Sequence, residues 1–148
     1  MRRRALIFED EPVLRQMLWT VFDGRGYETF SYPDPGLCPL HAEDRCPCPD
    51  GMICADVVVT DIHMDSVNGM EFLDHLFRMK CRKPEIAVMS GTFTDEEKAR
   101  AAAIGCRLFE KPFHFEAFTR WLDQVESKIP ADRKLFDWNL GCGWGREP

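Results

Sequence analysis

Long apolar runs are missing from this sequence. No stretch of its 148 residues approaches the roughly 20 apolar positions that a membrane-crossing helix requires, which excludes a membrane span. The run Ala5-Leu6-Ile7-Phe8, held between Arg2-Arg3-Arg4 and Glu9-Asp10-Glu11, is too short for the apolar segment of a signal peptide, so a cytoplasmic location is expected. Positive charge is in deficit: 19 Lys and Arg face 25 Asp and Glu, a net charge of -6. That balance weighs against direct nucleic-acid binding over a broad surface. No glycine-rich phosphate cradle follows the first apolar run, which leaves a small phosphatase or nucleotide-binding enzyme poorly supported. Paired C-x2-C spacing is absent too, although cysteine itself is plentiful at seven residues. Their odd number and uneven placement do not make a complete secreted disulfide framework. What remains is a length suited to one globular domain with a single substantial core, plus appendages.

The residues that are present alternate between two periodicities. Ala5 to Phe8 reads as a short buried strand, and Pro12 after an acidic cluster opens a helix whose stripe is Val13, Leu14, Met17, Leu18, Val21 and Phe22. Gly24 and Gly26 stop it. Tyr27 to Tyr32 alternates as a second strand, with aromatics on both phases. Val57-Val58-Val59-Thr60-Asp61 is a buried strand ending in a carboxylate. Ser66-Val67-Asn68-Gly69 is turn-like, and Met70, Leu73, Leu76 and Phe77 mark the next helix. Ile86 to Met89 is a fourth strand, ending in Ser90-Gly91. Thr94-Asp95-Glu96-Glu97 is a capping box that opens a helix to Ile104, closed by Gly105. Leu108-Phe109-Glu110 precedes Lys111-Pro112, and Phe115, Phe118, Leu122, Val125 and Ile129 form a last stripe before Pro130. Five strands alternating with helices predict a doubly wound α/β fold: a five-stranded parallel sheet with helices on both faces.

Such a sheet carries the ends of its first, third, fourth and fifth strands to one edge, where open α/β sheets place their chemistry. Glu9, Asp10, Asp61, Ser90 and Lys111 would meet there. Clustered carboxylates resist ionisation through mutual repulsion and so favour a divalent cation, and an oxygen-only ligand set favours Mg²⁺. Asp10 and Asp61 are the ligands this reading selects. A carboxylate can also attack phosphorus, with the metal and a lysine offsetting the charge on the transferring group and a hydroxyl donating to one of its oxygens. Asp61, Lys111 and Ser90 suit those three roles.

Phe8-Glu9-Asp10-Glu11-Pro12, Asp61-Ile62-His63-Met64 with Asn68-Gly69, Met89-Ser90-Gly91 and Lys111-Pro112-Phe113 together resemble the receiver domain of two-component response regulators, over roughly residues 4 to 129. The resemblance implies a flavodoxin-like receiver fold with strand order 2-1-3-4-5. It implies that Asp61 accepts a phosphoryl group from a phosphohistidine on a sensor histidine kinase or phosphotransfer protein. Glu9 and Asp10 then form the acidic pair, and Mg²⁺ is held by Asp10, Asp61 and the main-chain carbonyl of His63. Ser90 becomes the switch hydroxyl, and Lys111 pairs with the phosphoryl group, its bond to Pro112 being cis. His63 and Thr92 stand at positions that border the attacking water in the family, although a solvated loop side chain is the simpler reading of His63. The sequence departs from the family at Asp65, where proline is usual, and at Leu108, where an aromatic is usual and Phe109 is its neighbour.

Pro33 to about residue 54 is the least family-like part. Its prolines and glycines discourage a regular helix, so a loop is expected in place of most of the family's second helix. Cys38, Cys46, Cys48 and Cys54 are spaced C-x7-C-x-C-x5-C, which leaves three readings open: a Zn²⁺ site, disulfides, or thiols packed as small hydrophobes. The tail from 130 to 148 holds Leu135, Phe136, Trp138, Leu140 and Trp144 among glycines. It is expected to dock on the receiver domain, residues 1–129, with a partner or homodimer contact as the alternative. The sequence thus reads as a stand-alone receiver that signals through protein contacts. The competing reading is a metal- or redox-sensing module built on the same fold around its cysteine-rich insert.

Overall fold

The computed structural model describes residues 1–34, 48–49, 51–63, 68, 70–71, 74–75 and 84–136. In chain order these form β1 (Arg3–Phe8), α1 (Pro12–Gly24), β2 (Tyr27–Tyr32), β3 (Met52–Ile53), β4 (Val57–Asp61), β5 (Glu85–Ser90), α2 (Asp95–Ile104), β6 (Arg107–Glu110), α3 (Phe115–Lys128) and β7 (Lys134–Leu135). The main sheet has the order β2-β1-β4-β5-β6, and every pairing in it is parallel. Leaving the short β3 out of the count, this is the 2-1-3-4-5 order that the resemblance implies.

The sheet is covered on both faces, which is why its strands read as continuous apolar runs. Successive side chains of a strand point to opposite faces, and the two cores sort accordingly. Leu6, Phe8, Phe30, Tyr32, Val58, Ile86 and Val88 pack on one face with Ile104 of α2 and Met70. Ala5, Ile7, Tyr27, Val57, Val59, Ala87, Met89 and Phe109 pack on the other with Leu18 and Phe22 of α1 and Phe118, Trp121, Leu122 and Val125 of α3. Each such large apolar side chain contributes about 1.5–3 kcal/mol when fully buried, so the helix stripes are what fix the layers.

Local signals set the helix ends. Pro12 opens α1 without losing a helical donor, and Arg25 and the left-handed Gly26 (φ 81°) close it. The α2 capping box is complete: Thr94 Oγ1 accepts from the Glu97 amide at 3.1 Å, and the Glu97 carboxylate accepts from the Thr94 amide at 2.9 Å. Gly105 ends α2 at φ 83°. The helix expected from Met70 is seen at residues 70–71 and 74–75, where Asn68 Oδ1 caps its start by accepting from the Met70 amide at 2.8 Å. Its remainder, and the turn around Asp65, lie outside the described residues.

Two strands were not expected. Met52–Ile53 and Lys134–Leu135 pair in parallel as a second, two-stranded sheet, so residues 130–136 return to the far end of the main sheet from Asp61. Of the proline- and cysteine-rich segment, residues 35–47 and 50 lie outside the described residues, as do residues 137–148.

Candidate functional site

Parallel order puts the C-terminal ends of β1, β4, β5 and β6 side by side, and each strand delivers a polar residue there. Glu9 follows β1, Asp61 and Ser90 end β4 and β5, and Lys111 follows β6. Asp61 and Ser90 are nearly fully buried, at 4% and 1% exposure, and Glu9 is fully so. Carboxylate oxygens of Glu9, Asp10 and Asp61 lie within 4.8 Å of one another. The Lys111 ammonium bridges two of them, 3.0 Å from Glu9 Oε2 and in direct contact with Asp61 Oδ2. The Lys111-Pro112 peptide is cis.

Backbone contacts hold these groups in register. The Lys111 amide donates to the Ser90 carbonyl at 2.7 Å, and the Ile62 amide to the Met89 carbonyl at 3.0 Å. The His63 amide donates to Asp61 Oδ1 at 2.8 Å, and the Glu11 amide to Glu9 Oε1 at 3.1 Å. Both oxygens of Asp61 are thereby engaged, one by a peptide and one by an ammonium.

The electrostatics favour a cation. With all three acids ionised, Lys111 compensates one charge of three and leaves two, the charge of a divalent ion. Burial pushes the Glu9 carboxyl up to about 7; the Glu11 amide and Lys111 oppose that shift, and the Asp61 charge adds to it. For Lys111, burial works to lower the pKa, but the bonds to Asp61 and Glu9 outweigh it and hold the ammonium above its ordinary range. The cluster is therefore short of positive charge, and its hard oxygen donors suit Mg²⁺. Glu9, Asp10 and Asp61 would hold the ion, which supplies positive charge against an anionic group bound beside Asp61.

The other expected site residues stand further out. The Ser90 hydroxyl turns into its own loop, donating to the Thr92 carbonyl at 2.7 Å, while the Thr92 residue is exposed. The His63 side chain is 61% exposed, with Nε2 3.7 Å from Glu97 Oε2 in the α2 cap. Leu108 is half-buried against the core on the α2 face, and Phe109 is buried on the opposite face among Phe113, Phe118 and Trp121. Sequence reasoning missed Arg15, whose Nη1 donates to the Glu9 carbonyl at 2.9 Å. Its signal was a cation one turn after Glu11 on the helix that the acidic cluster opens.

Among the described residues the cysteines are not gathered into such a site. Cys54 is buried at 5% exposure in the apolar cluster with Phe8, Phe30, Ala55 and Ile62, and Cys48 packs against that cluster. Cys38 and Cys46 lie outside the described residues. Among the described residues the acidic triplet is the one group of metal-ligating side chains, so the expectation of Zn²⁺ at the insert finds no support in the described cysteines.

The profile of the response regulator receiver domain matches residues 5–123 of the chain. The chain belongs to that family. Receivers bind Mg²⁺ at an acidic pocket, which here is Glu9, Asp10 and Asp61, and they serve phosphorylation-dependent signalling in two-component systems. The receiver is similar to solved structures of chemotaxis protein CheY4 from Vibrio cholerae, at 22% identity and TM-score 0.65 over 84% of this chain and 99% of that one. It is similar also to the receiver domain of Francisella response regulator 1452, at 19% identity and TM-score 0.66 over 84% and 97%. The N-terminal domain of an uncharacterized Wolinella succinogenes protein is 26% identical at TM-score 0.65, over 84% and 94%. No curated protein matches the sequence. No helix among the described residues is long and apolar enough to cross a membrane.

Proposed function

We propose that Asp61 of this receiver is the phosphoacceptor, taking its phosphoryl group from a phosphohistidine of a sensor kinase or phosphotransfer protein. The observation that carries the reading is the Lys111 ammonium held between Glu9 and Asp61 at the sheet edge. An Asp61 carboxylate oxygen attacks phosphorus, the O–P bond forms as the P–N bond breaks, and the departing imidazole keeps the electron pair and takes up a proton. Lys111 is in place to pair with the transferred group's oxygens, and a divalent ion held by Glu9, Asp10 and Asp61 would supply the remaining positive charge. Ser90 reaches the phosphoryl group by rotating its hydroxyl away from the Thr92 carbonyl. That exchange of partners gives the loop two states that other proteins can bind unequally. Water attack on phosphorus, in the region bordered by His63 and Thr92, returns Asp61 to its starting form.

The donor has an approach beside the site. Val13 and Met17 of α1 are exposed at 64% and 46%, and with Leu14, Phe113 and Phe115 they line an apolar groove that reaches Glu11, Lys111 and Pro112. A phosphodonor helix seated there would place its histidine at Asp61. The alternative, a metal- or redox-sensing module using Cys38, Cys46, Cys48 and Cys54, has less support, because Cys54 serves the apolar core. Incubation with Mg²⁺ and a small-molecule phosphodonor, read by intact mass, tests the main reading. One phosphoryl adduct on the wild type and none on Asp61→Asn is expected; an unchanged wild-type mass under conditions that label other receivers would overturn it.

A further inference from the structure

The far end of the sheet carries a second charged network, which joins the exit of the cysteine-rich segment to residues 130–136. Arg4 opens it. Its guanidinium is buried at 3% exposure and bonds Glu28 Oε2 through Nε at 2.9 Å. Its Nη1 donates to two carbonyls: Cys54 at 3.1 Å and Phe136 at 2.7 Å. One buried cation thus clasps the exit of the cysteine-rich segment and the C-terminal segment together. Asp56, equally buried at 5%, accepts from the Arg4 amide at 3.0 Å and from Arg133 Nη2 at 2.7 Å, with Arg133 Nε on its other oxygen. Between these pairs, β3 and β7 form the two-stranded sheet, extended by the Phe136 amide donating to the Ile53 carbonyl at 2.8 Å.

The contact is ionic and backbone-borne more than apolar. Leu135 is buried, yet it belongs to neither core cluster of the main sheet. An open pocket of about 240 Å³ adjoins the segment, lined by Ile53, Asp56, Pro84, Val125, Ile129 and Arg133. Residues 130–136 can therefore lift without opening either core, while the groups left behind, Arg4 and Asp56, still hold Glu28 and each other's backbone.

We infer that residues 130–136 are a latch that couples the C-terminal segment to the exit of the cysteine-rich segment, so that release of either one frees the other. The latch lies at the end of the sheet opposite Asp61. The Met52 amide reports one side of the latch, because it donates to the Pro49 carbonyl at 3.0 Å where the cysteine-rich segment enters β3. The Phe136 amide reports the other.

Each side is to be perturbed and the opposite side read, in the full chain. Leu135→Ser is expected to raise hydrogen exchange at the Met52 amide about tenfold, as a local opening does. Ile53→Ser is expected to raise hydrogen exchange at the Phe136 amide by a similar factor of about ten. Exchange at the Val58 and Val59 amides, in the fully buried central strand β4, reports folding of the domain and stays unchanged in both, as does Mg²⁺ affinity. Arg133→Gln, which leaves both apolar residues in place, is expected to move both readouts and covers the case in which a serine variant fails to fold. If a serine variant loosens its own strand while the opposite readout stays at the wild-type rate, or if Arg133→Gln moves neither, the coupling is wrong.

Discussion

The Lys111 ammonium lies 3.0 Å from the fully buried Glu9 carboxylate while also contacting Asp61. It stands among three carboxylates, and the Glu9 carboxyl is pushed up to about 7. Burial is the main cause. The folded-state value lies above the ordinary 4.5, so stability from neutral Glu9 is complete below pH 4.5 and is lost as pH rises through about 7. A divalent ion must displace that proton. Mg²⁺ affinity, followed by titration calorimetry, is expected to rise by up to about tenfold per pH unit below pH 7 and then level off. Glu9→Gln is expected to flatten the profile; an equally steep profile in that variant would assign the proton to another group.

Removing the resident ammonium has the opposite effect on the cation. Lys111→Met leaves Glu9 and Asp61 without their shared partner, so a divalent ion gains the charge that Lys111 had compensated. Mg²⁺ affinity at pH 8 is expected to increase, on the order of three- to tenfold, the worth of about 1 kcal/mol at a partly solvated site. Weaker binding by the variant would show that Lys111 organises the carboxylates more than it competes with the ion.

Much of this site was legible because the fold repeats one device: an apolar run that ends in a polar residue. Val57-Val58-Val59 leads to Asp61, and Ile86 to Met89 leads to Ser90. Once parallel order is accepted, those ends must be neighbours. The capping box at Thr94 was legible for a similar reason, since both of its partners lie within four residues. The latch was not legible. Arg4 and Phe136 are 132 positions apart, and Asp56 and Arg133 are 77 apart. Two-residue strands have no period to read, and a buried arginine has the same letter as an exposed one. Ser90 was legible as a hydroxyl at the right strand end, but its bond to Thr92 depends on a rotamer that sequence does not encode.

The α2 cap carries more weight than most. Among the helix's buried residues are only Ala101 and Ile104, so little apolar burial compensates for a lost terminus. Thr94→Ala removes the acceptor of the Glu97 amide and is expected to cost about 1 kcal/mol in urea unfolding. Because Glu97 also faces His63, faster amide exchange is expected to extend to His63. Exchange confined to α2 would show that the cap and the phosphoacceptor loop move separately.

Glu126 ties α3 to the start of the sheet, where Arg25 meets it through both oxygens at 2.9 Å and Arg3 at 3.0 Å. The Tyr27 hydroxyl adds a bond at 3.1 Å. Burial alone would raise the Glu126 pKa, but the bonds from Arg25 and Tyr27 and the arginine charges hold it below the ordinary carboxylate value. Here the linkage runs opposite to that of Glu9. A depressed folded-state pKa contributes stability that is present above the unfolded value of 4.5 and lost as pH falls through the folded one. Glu126→Gln is expected to cost on the order of 1–2 kcal/mol at pH 7, the worth of charge-assisted hydrogen bonds at a partly exposed site. The gap between variant and wild type should close as the pH falls below 4.5. Thermal melts from pH 7 to pH 3 read this directly, and a gap that stays constant across the range would mean that Glu126 acts through packing instead of charge.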